Sequence, residues 1–203
     1  MCTRSALSWK LFGFPTMHKI MALIGSRKAP EEVLRAFRTF AYSAYEKGWV
    51  IRSGGAAGCD QTAEDAFAEF KQNYGDSFRA RGAGLLVYLP WPGFRGKEAG
   101  GNYTAHISEE ALASVNPHHP RPSSLKASAR KLMARNYNQV MGAYWMSDPS
   151  RMVIGWTPGP ALEKGGTSQA FRIADAHNIP YYNLYEMEGD LLSNLYEILE
   201  RHS

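Results

Sequence analysis

Residues 53–60 read Ser53-Gly54-Gly55-Ala56-Ala57-Gly58-Cys59-Asp60, and residues 23–27 read Leu23-Ile24-Gly25-Ser26-Arg27. Each stretch follows a short apolar run and leads into an amphipathic one. Each therefore reads as a strand, a glycine-rich turn and the start of a helix. Such turns bring backbone N–H groups close to a ligand and aim a helix N-terminus at it, a geometry suited to phosphate.

The same alternation runs outward in both directions. A first strand is expected over 19–24, and Pro30, Glu31 and Glu32 then open a helix, with proline and acids both favourable in a first turn. Val33, Leu34, Phe37, Phe40, Ala41 and Ala44 recur at helical spacing, and Gly48 is placed to end that helix. A second strand over 49–52 precedes the second turn, where Asp60 or Thr62 is placed to cap a helix burying Ala63, Ala66, Phe67 and Phe70. Further strands are expected over 84–89, 151–156 and 179–184. Between 91 and 124 the chain reads as an irregular insertion, with a short helix at 108–115. The clearest helix follows, its apolar stripe formed by Leu125, Ala129, Leu132, Met133, Tyr137, Val140, Met141 and Tyr144. Lys164-Gly165-Gly166-Thr167 opens another helix, and 190–201 is a closing one. The expected fold is α/β, a Rossmann-like, doubly wound and mainly parallel sheet with helices on both faces. Ligands of such sheets sit beyond the C-terminal ends of the strands, where all the glycine turns fall.

Bulk properties set bounds. A chain of 203 residues with 44% apolar and 21% charged content has the make-up of an ordinary globular protein. It holds no apolar run of membrane-spanning length, so no membrane partner is expected. A net charge of +4 gives a mild bias toward anionic partners. Two cysteines, Cys2 and Cys59, do not make a disulfide framework, and a cytoplasmic setting fits best. Residues 1–18 read as an N-terminal extension rather than a signal peptide, since Lys10 interrupts the apolar stretch. Residues 19–203 then read as a single domain.

The chemistry centres on the turns. Arg27 adds a guanidinium beside exposed N–H groups, a pairing suited to phosphate. Gly54 and Gly55 remove Cβ atoms where the backbone would meet a ligand, and Gly58 permits tight entry into the helix. Asp60 has two open readings, as a helix cap or as an acceptor for a ribose hydroxyl or an exocyclic amine. No acidic residue lies between Ala111 and Ser147, where Arg121, Lys126, Arg130, Lys131 and Arg135 are all basic. That run suits a phosphate backbone or a nucleotide. Tyr88, Trp91 and Phe94 surround a Pro-Gly turn, where they either stack on a base or pack a lid. His106, His118 and His119 come without cysteine or carboxylate at ligand spacing, so no metal is expected. The full G-x-G-x-x-G fingerprint is missing and no Walker A motif is present, so no cofactor is assigned.

The order Ile24-Gly25-Ser26-Arg27, a helix, then Ile51-Arg52-Ser53-Gly54-Gly55-Ala56-Ala57-Gly58-Cys59-Asp60 resembles the Rossmann-like core of the DprA/Smf DNA-processing, recombination-mediator family. Ala134-Arg135-Asn136 looks like the family's R-N signature, and Gly165-Gly166-Thr167 falls at its small turn before the last core helix. The similarity spans about residues 20–184. The same core defines the wider SLOG superfamily, which includes the LOG phosphoribohydrolases and nucleotide-sensing domains. The resemblance implies a binding site formed by Gly25, Ser26, Arg27, Ser53, Gly54, Gly55, Gly58, Asp60, Arg135, Asn136, Gly165, Gly166 and Thr167. It implies a nucleotide or nucleotide-derived ligand, with single-stranded DNA as an alternative partner and a homodimer by analogy. It also leaves open an N-glycosidase, for which Asp60, Glu64 and Glu163 are the candidate carboxylates. Against a LOG-type hydrolase, Ala170 stands where that family's catalytic Glu belongs. Full-length DprA proteins carry accessory domains, for which this chain is not expected to have room.

Overall fold

The structure, a computed structural model, describes residues 19–143, 148–163 and 165–203. The N-terminal extension, Tyr144 of the helical stripe and Lys164 before the third glycine turn lie outside the described residues.

One sheet organises the chain. Strand β1 (Lys19–Gly25) lies at its centre and pairs in parallel with β2 (Trp49–Ser53) on one side and β5 (Met152–Trp156) on the other. Alternate side chains of β1 enter opposite cores. Met21 and Leu23 pack with helices α1 (Glu31–Glu46), α2 (Cys59–Tyr74) and α7 (Leu191–Arg201). Ala22 and Ile24 pack with α3 (Glu109–Ala113), α5 (Ala127–Met141) and α6 (Gly166–Ala176). A strand buried on both faces has no polar alternation, which is why β1 reads Lys-Ile-Met-Ala-Leu-Ile-Gly.

Among the described residues the sheet has six strands, all parallel, in the order β4-β3-β2-β1-β5-β6. The chain steps outward from β1 through β2 and β3 (Gly84–Tyr88) to β4 (Tyr103–Thr104). After α3, the one-turn α4 (Val115–His118) and α5, it returns to β5 and adds β6 (Tyr181–Asn183). The winding direction reverses between β1 and β5, and a crevice at such a point is where open α/β sheets take their ligands.

Two departures from the sequence reading have physical causes. The segment after residue 91, read as irregular, contributes a sixth strand of two residues. β4 is held by Val87 N–H to Asn102 O at 2.8 Å and Leu89 N–H to Thr104 O at 2.7 Å, and is too short to show any period. Helix α5, read as carrying one apolar stripe, is instead buried on every side over 134–140, Arg135, Asn136, Asn138 and Gln139 included. Polar partners on neighbouring loops make part of that burial tolerable, as where Asn138 Nδ2 donates to His106 O at 3.1 Å. The expected helix at 108–115 forms as α3, with Ser108 Oγ accepting the Ala111 N–H at 3.1 Å.

Candidate functional site

The turns after β1 and β2 pack on one another at the C-terminal edge of the sheet. Ser26 N–H donates to Trp156 O at 2.9 Å, tying the first turn to the end of β5. A Cβ on Gly25 would fall on the Cys59 sulfur, and one on Gly58, whose φ is +77°, would stand 2.6 Å from Ser26 O. These glycines let the two loops touch. A Cβ on Gly54 would strike the Arg135 guanidinium, and one on Gly55 would stand 2.8 Å from Leu89 Cδ2. The space that the sequence reading gave to a ligand at Gly54 and Gly55 is therefore filled by this chain's own side chains.

A polar relay then runs from the second turn to the third. Arg135 Nη1 donates to Gly54 O at 2.5 Å and lies 3.8 Å from Asp60 Oδ2. Arg135 Nη2 donates to Asn136 Oδ1 at 3.3 Å, and Asn136 Nδ2 donates to Gly166 O at 2.6 Å. Asp60 accepts the Ala56 N–H at 3.2 Å, while its backbone carbonyl accepts Ser53 Oγ at 3.2 Å. Asp60 is not the helix cap: Gly58 holds that position, and no side chain caps α2. With Asp60 only 2% exposed, its carboxylate serves the turn itself. Burial pushes the Asp60 carboxyl above its usual range, with Arg135 pulling the other way. The same burial draws the Arg135 guanidinium down, Asp60 opposing this and nearby Arg27 adding to it.

What faces solvent is different in kind. Arg27 and Lys28 are exposed at the first turn, and Gly165 at the third. Among the described residues, no side chain caps the start of helix α6 or of α2, and a helix start carries free N–H groups and partial positive charge. The basic run divides: Arg135 lies inside, while Arg121, Lys126 and Lys131 are exposed and Arg130 donates to Asn116 Oδ1 at 2.5 Å. Among the described residues, none of Arg27, Arg121, Lys126 and Lys131 has an ion-pair partner.

Of the remaining candidates, Tyr88 and Glu64 are engaged elsewhere. Tyr88 is buried and hydrogen-bonded with Arg52, so it packs rather than stacks. Lys97 Nζ meets both carboxylate oxygens of Glu64 at 2.7 Å, and Tyr103 OH donates to the same group at 2.9 Å. Glu163 is exposed, and its backbone carbonyl accepts Arg172 Nη1 at 3.3 Å. No group of three or more His, Cys, Asp or Glu is placed to hold a metal ion among the described residues. No described helix is long and apolar enough to cross a membrane.

Two features escaped the sequence reading. Arg52 is fully buried in β2, with Nη1 3.4 Å from Ser150 Oγ, and its burial lowers its pKa against the pull of Tyr88 and Asp148. An arginine inside an otherwise apolar strand was its signal. The Lys97–Glu64–Tyr103 clip had none, since its members lie 33 and 39 residues apart.

An all-parallel α/β sheet, covered on both faces and with its glycine turns gathered where the winding reverses, is a Rossmann-like domain. Its specific likeness is to DprA. Residues 13–74 match the family described as DNA recombination-mediator protein A. The fold matches DNA processing protein A from Helicobacter pylori, a structure concerned with that protein's single-stranded DNA binding mode, at TM-score 0.50 and 19% identity. That match covers 94% of this chain and 76% of the other. DNA processing protein A from Streptococcus pneumoniae matches at TM-score 0.50 and 15% identity, over 95% of this chain and 58% of that one. No curated protein matches the sequence. The SLOG-type core expected from the motifs is consistent with these likenesses.

Proposed function

We propose that this chain binds single-stranded DNA along the C-terminal edge of its sheet. The observation that carries the reading is Arg27, exposed and without an acidic partner among the described residues, on a turn that touches the uncapped start of α2. In this reading Arg27, Ser26 and the first amides of α6, behind Gly165, Gly166 and Thr167, take phosphates. Lys126 and Lys131 continue the cationic track. Gly25, Ser53, Gly54, Gly55 and Gly58 shape the turns, while Asp60, Arg135 and Asn136 hold them in register. The likeness to a DNA-binding protein of the same fold supports the reading by analogy. The role belongs in the cytoplasm, the compartment expected from the sequence.

The test is fluorescence anisotropy with a labelled oligothymidylate over a salt series. Affinity is expected to fall steeply with salt, and Arg27→Ala to lower the slope by about one. Salt-insensitive binding, or none, would sink the proposal.

A second reading, a nucleotide-sized ligand, has one observation in its favour. A groove of about 670 Å³ opens beside the first turn, lined by Pro30, Val33, Trp156, Leu184, Tyr185 and Leu191 among others. That volume lies within the range of small-molecule sites. A rise in melting temperature with a mononucleotide or ADP-ribose, the ligand staying intact, would support it. Release of free base would instead mark an N-glycosidase, which the engagement of Asp60 and Glu64 disfavours.

A further inference from the structure

Beyond β3 the chain reads Leu89-Pro90-Trp91-Pro92-Gly93-Phe94-Arg95-Gly96-Lys97, and it folds into a tight knuckle. Phe94 N–H donates to Trp91 O at 3.3 Å, Gly96 N–H to Gly93 O at 3.0 Å, Lys97 N–H to Phe94 O at 3.1 Å, and Gly93 N–H to Lys97 O at 3.1 Å. Its inner side is anchored. Lys97 is clipped to Glu64 and also donates to Gln61 Oε1 at 3.2 Å, while Phe94 packs against the α1–α2 core. The clip places the knuckle on the second glycine turn, since a Cβ on Gly55 would stand 3.6 Å from Lys97 Cδ.

The knuckle also carries an exposed Arg95 and a partly exposed Trp91. Arg95 is exposed and left-handed, with φ +54°, a conformation that Gly or Asn adopts far more readily. It has no ion-pair partner among the described residues. Trp91 is half-buried, edge-on to Phe94 with ring centroids 5.2 Å apart and planes at 87°. Phe94 thus fixes the indole while part of it stays in solvent. An indole held by Phe94 and an exposed guanidinium four residues further along the same knuckle, beside a phosphate-type turn, have the composition of a single-strand stacking platform.

We propose that the 91–97 knuckle is a second contact for the DNA strand, Trp91 stacking one base and Arg95 holding an adjacent phosphate. This rests on the single-stranded DNA reading above and extends it to a residue pair outside the glycine turns.

The test titrates wild type, Trp91→Ala, Trp91→Phe, Arg95→Gly and Arg27→Ala with oligothymidylate and with the same oligomer carrying abasic sites. Trp91→Ala is expected to weaken binding by about 5- to 100-fold with the salt slope unchanged, and Trp91→Phe to restore most of it. The abasic oligomer should erase the difference between wild type and Trp91→Ala. Arg95→Gly suits the left-handed backbone, so it should keep the melting temperature while the salt slope falls by about one. If Arg27→Ala weakens binding while both knuckle positions are silent, the knuckle proposal is overturned and the DNA reading stands. If wild type binds no oligomer, both fall. If Trp91→Ala loses as much affinity for abasic as for normal DNA, stacking is overturned, and a protein partner becomes the better use of this surface.

Discussion

Gly54, Arg135 and Asp60 form a unit in which each explains the others. The guanidinium occupies the space a side chain at Gly54 would need, bonds its carbonyl and faces the Asp60 carboxylate. Removing one partner of a buried ion pair strands the other charge, so Arg135→Ala should cost about 3–5 kcal/mol in urea denaturation. Arg135→Lys should not restore it, because a single ammonium cannot meet Gly54 O and Asp60 as Nη1 does and also reach Asn136 Oδ1 as Nη2 does. Gly54→Ala should cost about 1–3 kcal/mol by displacing that guanidinium. By contrast, Arg27→Ala should change stability by less than about 0.5 kcal/mol while weakening DNA binding. The pH sign follows from burial. A carboxyl raised in the folded state leaves stability whole below its ordinary pKa of 3.8 and takes stability away as pH rises through the folded value. Arg135 opposes that loss, so an Arg135 variant should show a sharper decline on the alkaline side, read as melting temperature against pH.

At the scale of elements, the insertion after β3 is held by the Lys97–Glu64–Tyr103 clip. Burial first, then the bond to Glu64, pushes the Tyr103 phenol from 10.0 up to about 12. A group raised in this way stabilises the folded state below its unfolded pKa, and that contribution is lost as pH rises through the folded one. The clip should therefore loosen toward pH 12, seen as tyrosinate absorbance rising in that range. Tyr103→Phe should reduce the absorbance component in that range, where Tyr137 also titrates, by one tyrosine. The elements differ in how legible they were. β1, β2, β3 and β5 announce themselves as apolar runs ending in turn residues. β4 does not, because its two residues belong to the sheet only through bonds to β3. In α5 the helix itself was legible, but not the burial of Arg135 and Asn136. Their partners, the carbonyls of Gly54 and Gly166, are backbone groups on distant turns that no periodicity reports.

For the molecule as a whole, the strand order brings three glycine turns, far apart in sequence, to one edge of one sheet. Their convergence was legible, because parallel α/β winding puts every strand-to-helix turn at the same end. The division of labour within them was not. Glycine, arginine and aspartate in a turn look alike whether they face a ligand or each other, and only packing shows that Arg135 and Asp60 turn inward while Arg27 turns outward. This outward set, at the C-terminal edge, is the surface we propose to hold DNA. Hydrogen–deuterium exchange of the free protein and its oligothymidylate complex tests it most directly. Protection is predicted at residues 26–28 and 165–168, with little change in α1 and α7. Protection confined to the groove between α1 and the β6–α7 loop, with the glycine turns unchanged, would contradict it.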